Sequence, residues 1–181
     1  MRSLVNSTFV SLDGVVNHMD KWHFDYVSDE TDDLALQHLN DAEVMLMGRA
    51  TYDSYASAWP SRDGKLADRL NEMPKYVAST TLTDPEWNNT TVLSGDLVTA
   101  VKQLKEQDGG DILQHGVGAV TKTLIAAGLV DVLHLWIHPV LAGAGGPDDT
   151  LLTQGLNVAF DTIGSQTLSN GLVVMSLKAK N

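Results

Sequence analysis

The chain of 181 residues contains no cysteine, which removes disulfides, thiolate nucleophiles and cysteine-ligated zinc from consideration and fits a reducing compartment. Proline is sparse at 5 residues, and no Pro-, Gly- or Ser-rich stretch is long enough to be a linker. With no internal repeat or low-complexity tract either, residues 1–181 read as a single domain long enough to bury a full core. Long hydrophobic runs are also missing. The start, Met1-Arg2-Ser3-Leu4, enters a strand-like pattern without an apolar signal segment, and no later run approaches a membrane span. The expectation is a soluble, cytoplasmic protein without a membrane partner. Positive charge is the remaining scarcity: 12 Lys and Arg against 23 Asp and Glu leave a formal charge of -11. Such a surface repels nucleic acid, so a phosphate ligand has to be held locally by backbone amides and a few cations.

What is present is a pattern that occurs twice. Residues 44–47 form an unbroken apolar run that fits a buried strand, Gly48 ends it, and helix-compatible residues continue to Trp59-Pro60. At such a junction the first helical N–H groups lack internal partners and the peptide dipoles make that end electropositive, so it can receive a phosphate. Arg49 and Thr51 add a cation and a hydroxyl. Alone, the junction is read equally well as a simple turn beside a solvated arginine. Residues 111–115 repeat the logic as a strand, followed by the turn Gly116-Val117-Gly118 and a helix over 119–127. Two junctions in one sheet can hold the two ends of a dinucleotide. The turn lacks the third glycine of the usual dinucleotide fingerprint.

The other segments fill in an α/β order. A first strand over 4–12 stops at the turn signal Asp13-Gly14. The irregular segment 15–28 holds Trp22, His23, Phe24 and Tyr26, which read either as a flap over a pocket or as a loop packed on its own domain. Ser28 or Asp29 caps a helix through Leu39, a helix over 65–73 is stopped by Pro74, and residues 75–79 form a strand. A short strand over 91–93 precedes an amphipathic helix over 97–107. Residues 132–141 alternate, with Leu133, Leu135 and Ile137 on one face and His134, Trp136 and His138 on the other. The end, 158–168 and 171–177, reads as an antiparallel hairpin turning at Asn170-Gly171. The order predicts a sheet that is mostly parallel, with antiparallel strands added late.

Five ordered motifs then point to a family: VSLDG at 10–14, LMGRATYDSYASAWP at 46–60, KYVASTTL at 75–82, GVGAVTKTL at 116–124 and GLVDVLHLWIHPVLAGAGG at 128–146. With them the chain resembles the dihydrofolate reductase-like superfamily, and within it the reductase domain related to the C-terminal half of the bifunctional riboflavin-biosynthesis deaminase-reductase. The resemblance implies a three-layer fold with a central, mixed, mostly parallel sheet, and an NADPH-dependent reductase. It places Gly48, Arg49 and Thr51 on cofactor phosphate and Ser79, with Thr80 after it, near the adenosine 2′-phosphate. Gly116, Val117 and Gly118, followed by Ala119, come under the pyrophosphate. Asp13, Gly14 and Trp22 fall beside the nicotinamide and substrate. Thr80 stands where the family often carries a basic residue, which leaves NADH possible as an alternative cofactor. His115 stands where the family has a small or apolar residue. The acid that contacts the pterin in true dihydrofolate reductase does not align, and Asp13, Asp25 and Glu30 are the candidates for an acid, with Asp29 close by.

Other chemistries have less support. His134 and His138 share a strand face, but spacing supplies no third ligand and HExxH is absent, so no metal is expected. The main expectation is an NAD(P)H-dependent reductase that passes a hydride to a small polar heteroaromatic or carbonyl substrate. The alternative is a nucleotide-binding homologue without turnover, whether a regulatory, drug-binding or flavin-binding module. A homodimer is expected because the apolar strand over 133–140, taken to lie near a sheet edge, would be covered by a second subunit.

Overall fold

The computed structural model describes residues 1–151 and 156–180. Its strands are β1 (Leu4–Val10), β2 (Ala42–Gly48), β3 (Lys75–Ala78), β4 (Thr90–Leu93), β5 (Asp111–His115), β6 (Val132–Ile137), β7 (Phe160–Thr167) and β8 (Val173–Ala179). They form one 8-stranded sheet in the order β4-β3-β2-β5-β1-β6-β8-β7. Pairing is parallel from β4 to β6, and β8 and β7 add antiparallel strands at one edge. The helices are α1 (Asp29–Asp41), α2 (Arg49–Ala58), α3 (Lys65–Glu72), α4 (Leu97–Glu106) and α5 (Ala119–Ala126).

Both sheet faces are covered, which is why β2 is almost continuously apolar: Val44, Met45, Leu46 and Met47 are all buried. Met45 and Met47 pack with Leu39 of α1, Tyr52 of α2 and Leu70 of α3. Val44 and Leu46 pack on the other face with Val101 and Leu104 of α4 and Leu124 of α5. Three layers result, with α1, α2 and α3 on one side and α4 and α5 on the other. Local chemistry sets the helix starts. Ser28 Oγ accepts from the Thr31 amide at 3.3 Å while Thr31 Oγ1 accepts from the Ser28 amide at 2.7 Å, a reciprocal cap for α1. Asp96 caps α4 by accepting from the Thr99 amide at 2.9 Å.

Two strand ends and the place of one strand in the sheet differ most from the sequence reading. β1 ends at Val10 because the chain turns at once, the Ser11 amide donating to the Val15 carbonyl at 3.0 Å. β6 ends at Ile137 rather than 141: the His138 amide still reaches the Val10 carbonyl at 2.8 Å, but Pro139 has no N–H to continue the ladder. The expected edge position of this strand is corrected outright. β6 lies inside the sheet between β1 and β8, and β7 is the edge. The terminal hairpin forms as expected around Leu168 to Gly171, where the Gly171 amide donates to the Leu168 carbonyl at 2.9 Å.

Candidate functional site

Parallel strands deliver their C-terminal ends to one rim of the sheet, and the loops there converge. β2 ends at Gly48, which is the N-cap of α2, and β5 ends at His115 before the turn 116–118, whose Gly118 is the N-cap of α5. Neither helix has a side-chain cap, in contrast to α1 and α4; α3, which begins after Gly64, is also uncapped. The opening amides of α2 and α5 are therefore available to a ligand. The two junctions touch. A Cβ placed on Gly48 would meet Val120 Cγ2 of α5 at 3.3 Å, and one on Gly116 would meet Thr51 Oγ1 of α2 at 3.5 Å. Gly116 also has φ +78°, a conformation that L side chains rarely adopt.

Arg49 stands at this rim with its Nε on both Asp53 carboxylate oxygens, at 2.8 and 2.9 Å, and its Nη1 donates to Thr81 Oγ1 at 3.3 Å. The exposed guanidinium is held in place while part of its donor set stays free. Ser79 Oγ accepts from the amides of Thr81 and Leu82 at 3.2 and 3.1 Å, which shapes the loop after β3, and Thr80 is exposed beside it. The structure thus gathers Gly48, Arg49, Thr51 and the turn 116–118 with Ala119, and extends this rim along the β3 loop to Ser79 and Thr80.

Asp13 and Gly14 lie on the turn after β1. Asp13 accepts from Ser11 Oγ at 2.5 Å and from the amides of Ala142 and Gly143 at 2.9 and 2.8 Å. The Ser11 hydroxyl and then these amides hold its carboxyl down at about 2, so it ties two loops together as an anion. Glu30 is occupied in the same way, accepting from the amide and hydroxyl of Ser169 at 2.7 and 2.6 Å. Asp25 is exposed on the loop before α1. Trp22 is only 3% exposed; its Nε1 donates to the Asn17 carbonyl at 2.9 Å and its ring meets His138 edge-on at 4.8 Å. The aromatic loop is packed onto the ends of β1 and β6.

The sheet brings together polar residues that sequence reasoning left scattered. In register, His115 of β5 pairs with Ser7 of β1, Ser7 with His134 of β6, and His134 with Ser176 of β8. His134 Nδ1 and Ser176 Oγ are 2.9 Å apart, and Trp136 Nε1 donates to Ser7 Oγ at 2.9 Å. Over this row, α1 sets His38 stacked on His134 at 4.2 Å, and α2 sets the Tyr55 hydroxyl 2.9 Å from His115 Nδ1. Burial pushes His38 and His115 down to about 4 and lowers His134, so these imidazoles are neutral near pH 7; burial also pushes Tyr55 up to about 12. A cavity of about 210 Å³ opens beyond the row toward the N-terminal ends of the strands, with Val5, His38, Asp41, Asp111, His134 and Ile163 in its wall. His38 and Tyr55 were missed by the sequence reading. The available signal for His38 was its position four residues after Leu34, on the apolar side of α1.

His134 and His138 do not converge: His138 is buried, with its Nδ1 3.1 Å from the Trp136 carbonyl and its Nε2 3.0 Å from His23 Nδ1. A carbonyl only accepts, so His138 carries its proton on Nδ1 and receives a hydrogen bond from His23. Among the described residues no group of three or more His, Cys, Asp or Glu is placed to hold a metal.

The eight-stranded, mostly parallel sheet with an antiparallel pair at one edge and helices on both faces is the dihydrofolate reductase-like fold. More narrowly, the chain belongs to the RibD C-terminal domain family, whose model matches residues 2–174. The uncharacterised protein YyaP of Bacillus subtilis (strain 168) is 27% identical over 177 residues, spanning 95% of this chain and 92% of its own. Among solved structures, a putative riboflavin biosynthesis protein from Shewanella sp. PV-4 superposes with a TM-score of 0.77 at 21% identity, with 99% of both chains covered. A pyrimidine reductase-like protein from Corynebacterium diphtheriae gives 0.72 at 13% identity, covering 99% of this chain and 92% of that one. The Thermotoga maritima diaminohydroxyphosphoribosylaminopyrimidine deaminase/5-amino-6-(5-phosphoribosylamino)uracil reductase gives 0.67 at 16% identity, with 99% of this chain matching 57% of the bifunctional one. At these identities the structural likeness speaks for the fold.

Proposed function

We propose that this protein is an NAD(P)H-dependent reductase that transfers a hydride to a small polar heteroaromatic or carbonyl substrate. The observation that carries the reading is the contact between two uncapped helix starts, with Thr51 Oγ1 3.5 Å from where a Gly116 side chain would begin. Such a cradle of free amides suits a pyrophosphate, and Arg49, oriented by Asp53, adds a cation at its edge. NADPH is the proposed cofactor, with Ser79 and Thr80 toward its 2′-phosphate; because Thr80 carries no charge, the preference over NADH is expected to be modest. The bound nicotinamide supplies the hydride. The protein's residues hold the phosphates, exclude water and present the row of Ser7, His115 and His134 to a planar polar substrate, with Asp13 and Gly14 shaping the mouth. Membership of the RibD C-terminal domain family supports a reductase role.

The test is NADPH oxidation over a panel of pteridine, pyrimidine and quinone acceptors, alongside binding of both cofactors. Turnover of one acceptor class supports the reading. Binding without turnover would favour a regulatory or ligand-storing homologue, and no binding would remove the cofactor site. The expected homodimer also stands as a proposal, moved from a sheet edge to a sheet face. Leu135, Ile137, Val173, Met175 and Leu177, all half-buried, line one side of β6 and β8 beyond the cluster built by α4 and α5, a surface that a second copy could cover. A monomeric mass by light scattering at micromolar concentration would count against it.

A further inference from the structure

We propose that His115 is the proton carrier of this site: it takes up a proton when an anionic dinucleotide docks on the adjoining glycine turn, and passes it to the substrate atom left with an electron pair after hydride transfer. The inference rests on the reductase reading above. The placement is specific. His115 is the last residue of β5, directly before Gly116, so it adjoins both the turn and the polar row of the sheet. Of the carboxylates that sequence offered as acids, Asp13 is committed to the 142–143 amides and Glu30 to Ser169, while Asp25 is exposed on the segment before α1 and is not part of the polar row. Facing His115 are Tyr55 from α2, His38 from α1 and Ser7 from β1, with His134 one strand further, and none of these supplies a negative charge near neutral pH.

In the free protein the ring is neutral because it is buried, and the positive ends of α2 and α5 lie at the same rim. A pyrophosphate on those amides reverses the local field and favours the imidazolium. Tyr55 fits both states and favours the charged one, since its hydroxyl can donate to Nδ1 of a neutral ring but accepts a stronger, charge-assisted bond from Nδ1–H of a charged one. The chemistry then balances. The hydride leaves the nicotinamide, which is oxidised, and forms a C–H bond at the substrate's C=N or C=O carbon, which is reduced. The π pair moves to the heteroatom, which takes the proton from the imidazolium. The neutral ring is reprotonated from water.

Calorimetric titration of NADPH between pH 6 and 7.5, in buffers of different ionisation enthalpy, reads proton uptake without any turnover. Wild type should take up protons on binding, with affinity rising as pH falls by up to about tenfold per pH unit. His115→Gln, whose amide can still meet Tyr55, should bind NADPH and lose that uptake. The cofactor's own 2′-phosphate titrates alike in both proteins, so their difference isolates His115. Tyr55→Phe should keep binding but show reduced uptake, which a purely structural role would not produce, and it decides the matter if His115→Gln does not fold. Equal uptake in wild type and His115→Gln, or in wild type and Tyr55→Phe where the glutamine variant is unfolded, overturns the inference and leaves the reductase reading standing. Absence of NADPH binding to wild type at every pH overturns both.

Discussion

Five of the 6 histidines sit where burial lowers their proton affinity: His23, His38 and His115 down to about 4, and His134 and His138 below their ordinary value. The unfolded chain binds these protons near pH 6.5 and the folded chain only at lower pH. For His23, His38 and His115 that contribution to stability is therefore complete above about 6.5 and is lost as pH falls toward 4, at up to about 1.4 kcal/mol per pH unit each, and His134 and His138 act in the same direction. Urea unfolding at pH 7, 6 and 5 should show the loss; a flat profile would mean that the rings are solvated. Lys75 makes a different demand. Fully buried, its Nζ donates to the carbonyls of Asn71, Met73 and Asn88 at 3.0, 2.8 and 3.1 Å and lies 4.4 Å from the Trp87 ring centroid. Lys75→Met leaves those carbonyls without their donor and should cost about 3 kcal/mol, read as a lower urea midpoint. Trp22 now belongs with the core: Trp22→Ala should destabilise by about 3 kcal/mol or more, and a variant with wild-type stability but impaired turnover would return it to the substrate pocket. Gly48, Arg49 and the turn at 116–118 were legible in the sequence because each is a local signal at a strand end. The row His115, Ser7, His134 and Ser176 was not, since only sheet register across four strands aligns residues so far apart in the chain.

At the scale of elements, what distinguishes the helices is how they begin. α1 and α4 spend side chains on their first amides, whereas α2 and α5 leave theirs open at Gly48 and Gly118. Gly118 has φ −159°, which any residue adopts, and a Cβ there meets nothing within 4 Å. Gly118→Ser should therefore cap α5 and stabilise the protein by up to about 1 kcal/mol while, on the proposed function, weakening nucleotide binding, because its hydroxyl would occupy amides that the proposal assigns to phosphate. A higher melting temperature with unchanged affinity would show that these amides serve no ligand. Element types were readable from periodicity and caps; for α1 the sequence left Ser28 and Asp29 both open as the cap, and the fold uses Ser28 with Thr31 as its reciprocal partner. The position of β6 was not, because an apolar alternating strand reads the same at an edge as in the interior; chain order puts β7 and β8 last, but only the fold shows that β8 inserts beside β6.

The whole molecule carries a formal charge of -11, so the proposed anionic cofactor would approach against the mean field and its retention would depend on the local cradle. Arg49 is the cation at that cradle; exposed and shared with Asp53, it should contribute toward the lower end of a charge-assisted bond, about 1.5 kcal/mol, so Arg49→Ala should raise the dissociation constant for NADPH about tenfold. Unchanged affinity would make the arginine a surface partner of Asp53 and nothing more. The central claim, that the paired glycine junctions hold a dinucleotide, is tested most directly by titrating NADPH and NADH into wild type and Gly116→Val, with circular dichroism to verify that the variant is folded. The account predicts saturable binding to wild type, with modest preference for NADPH, and its loss in the folded variant, where a side chain intrudes beside Thr51 at a backbone angle suited to glycine. Failure of both nucleotides to bind wild type, or equal affinity in folded Gly116→Val, would contradict it.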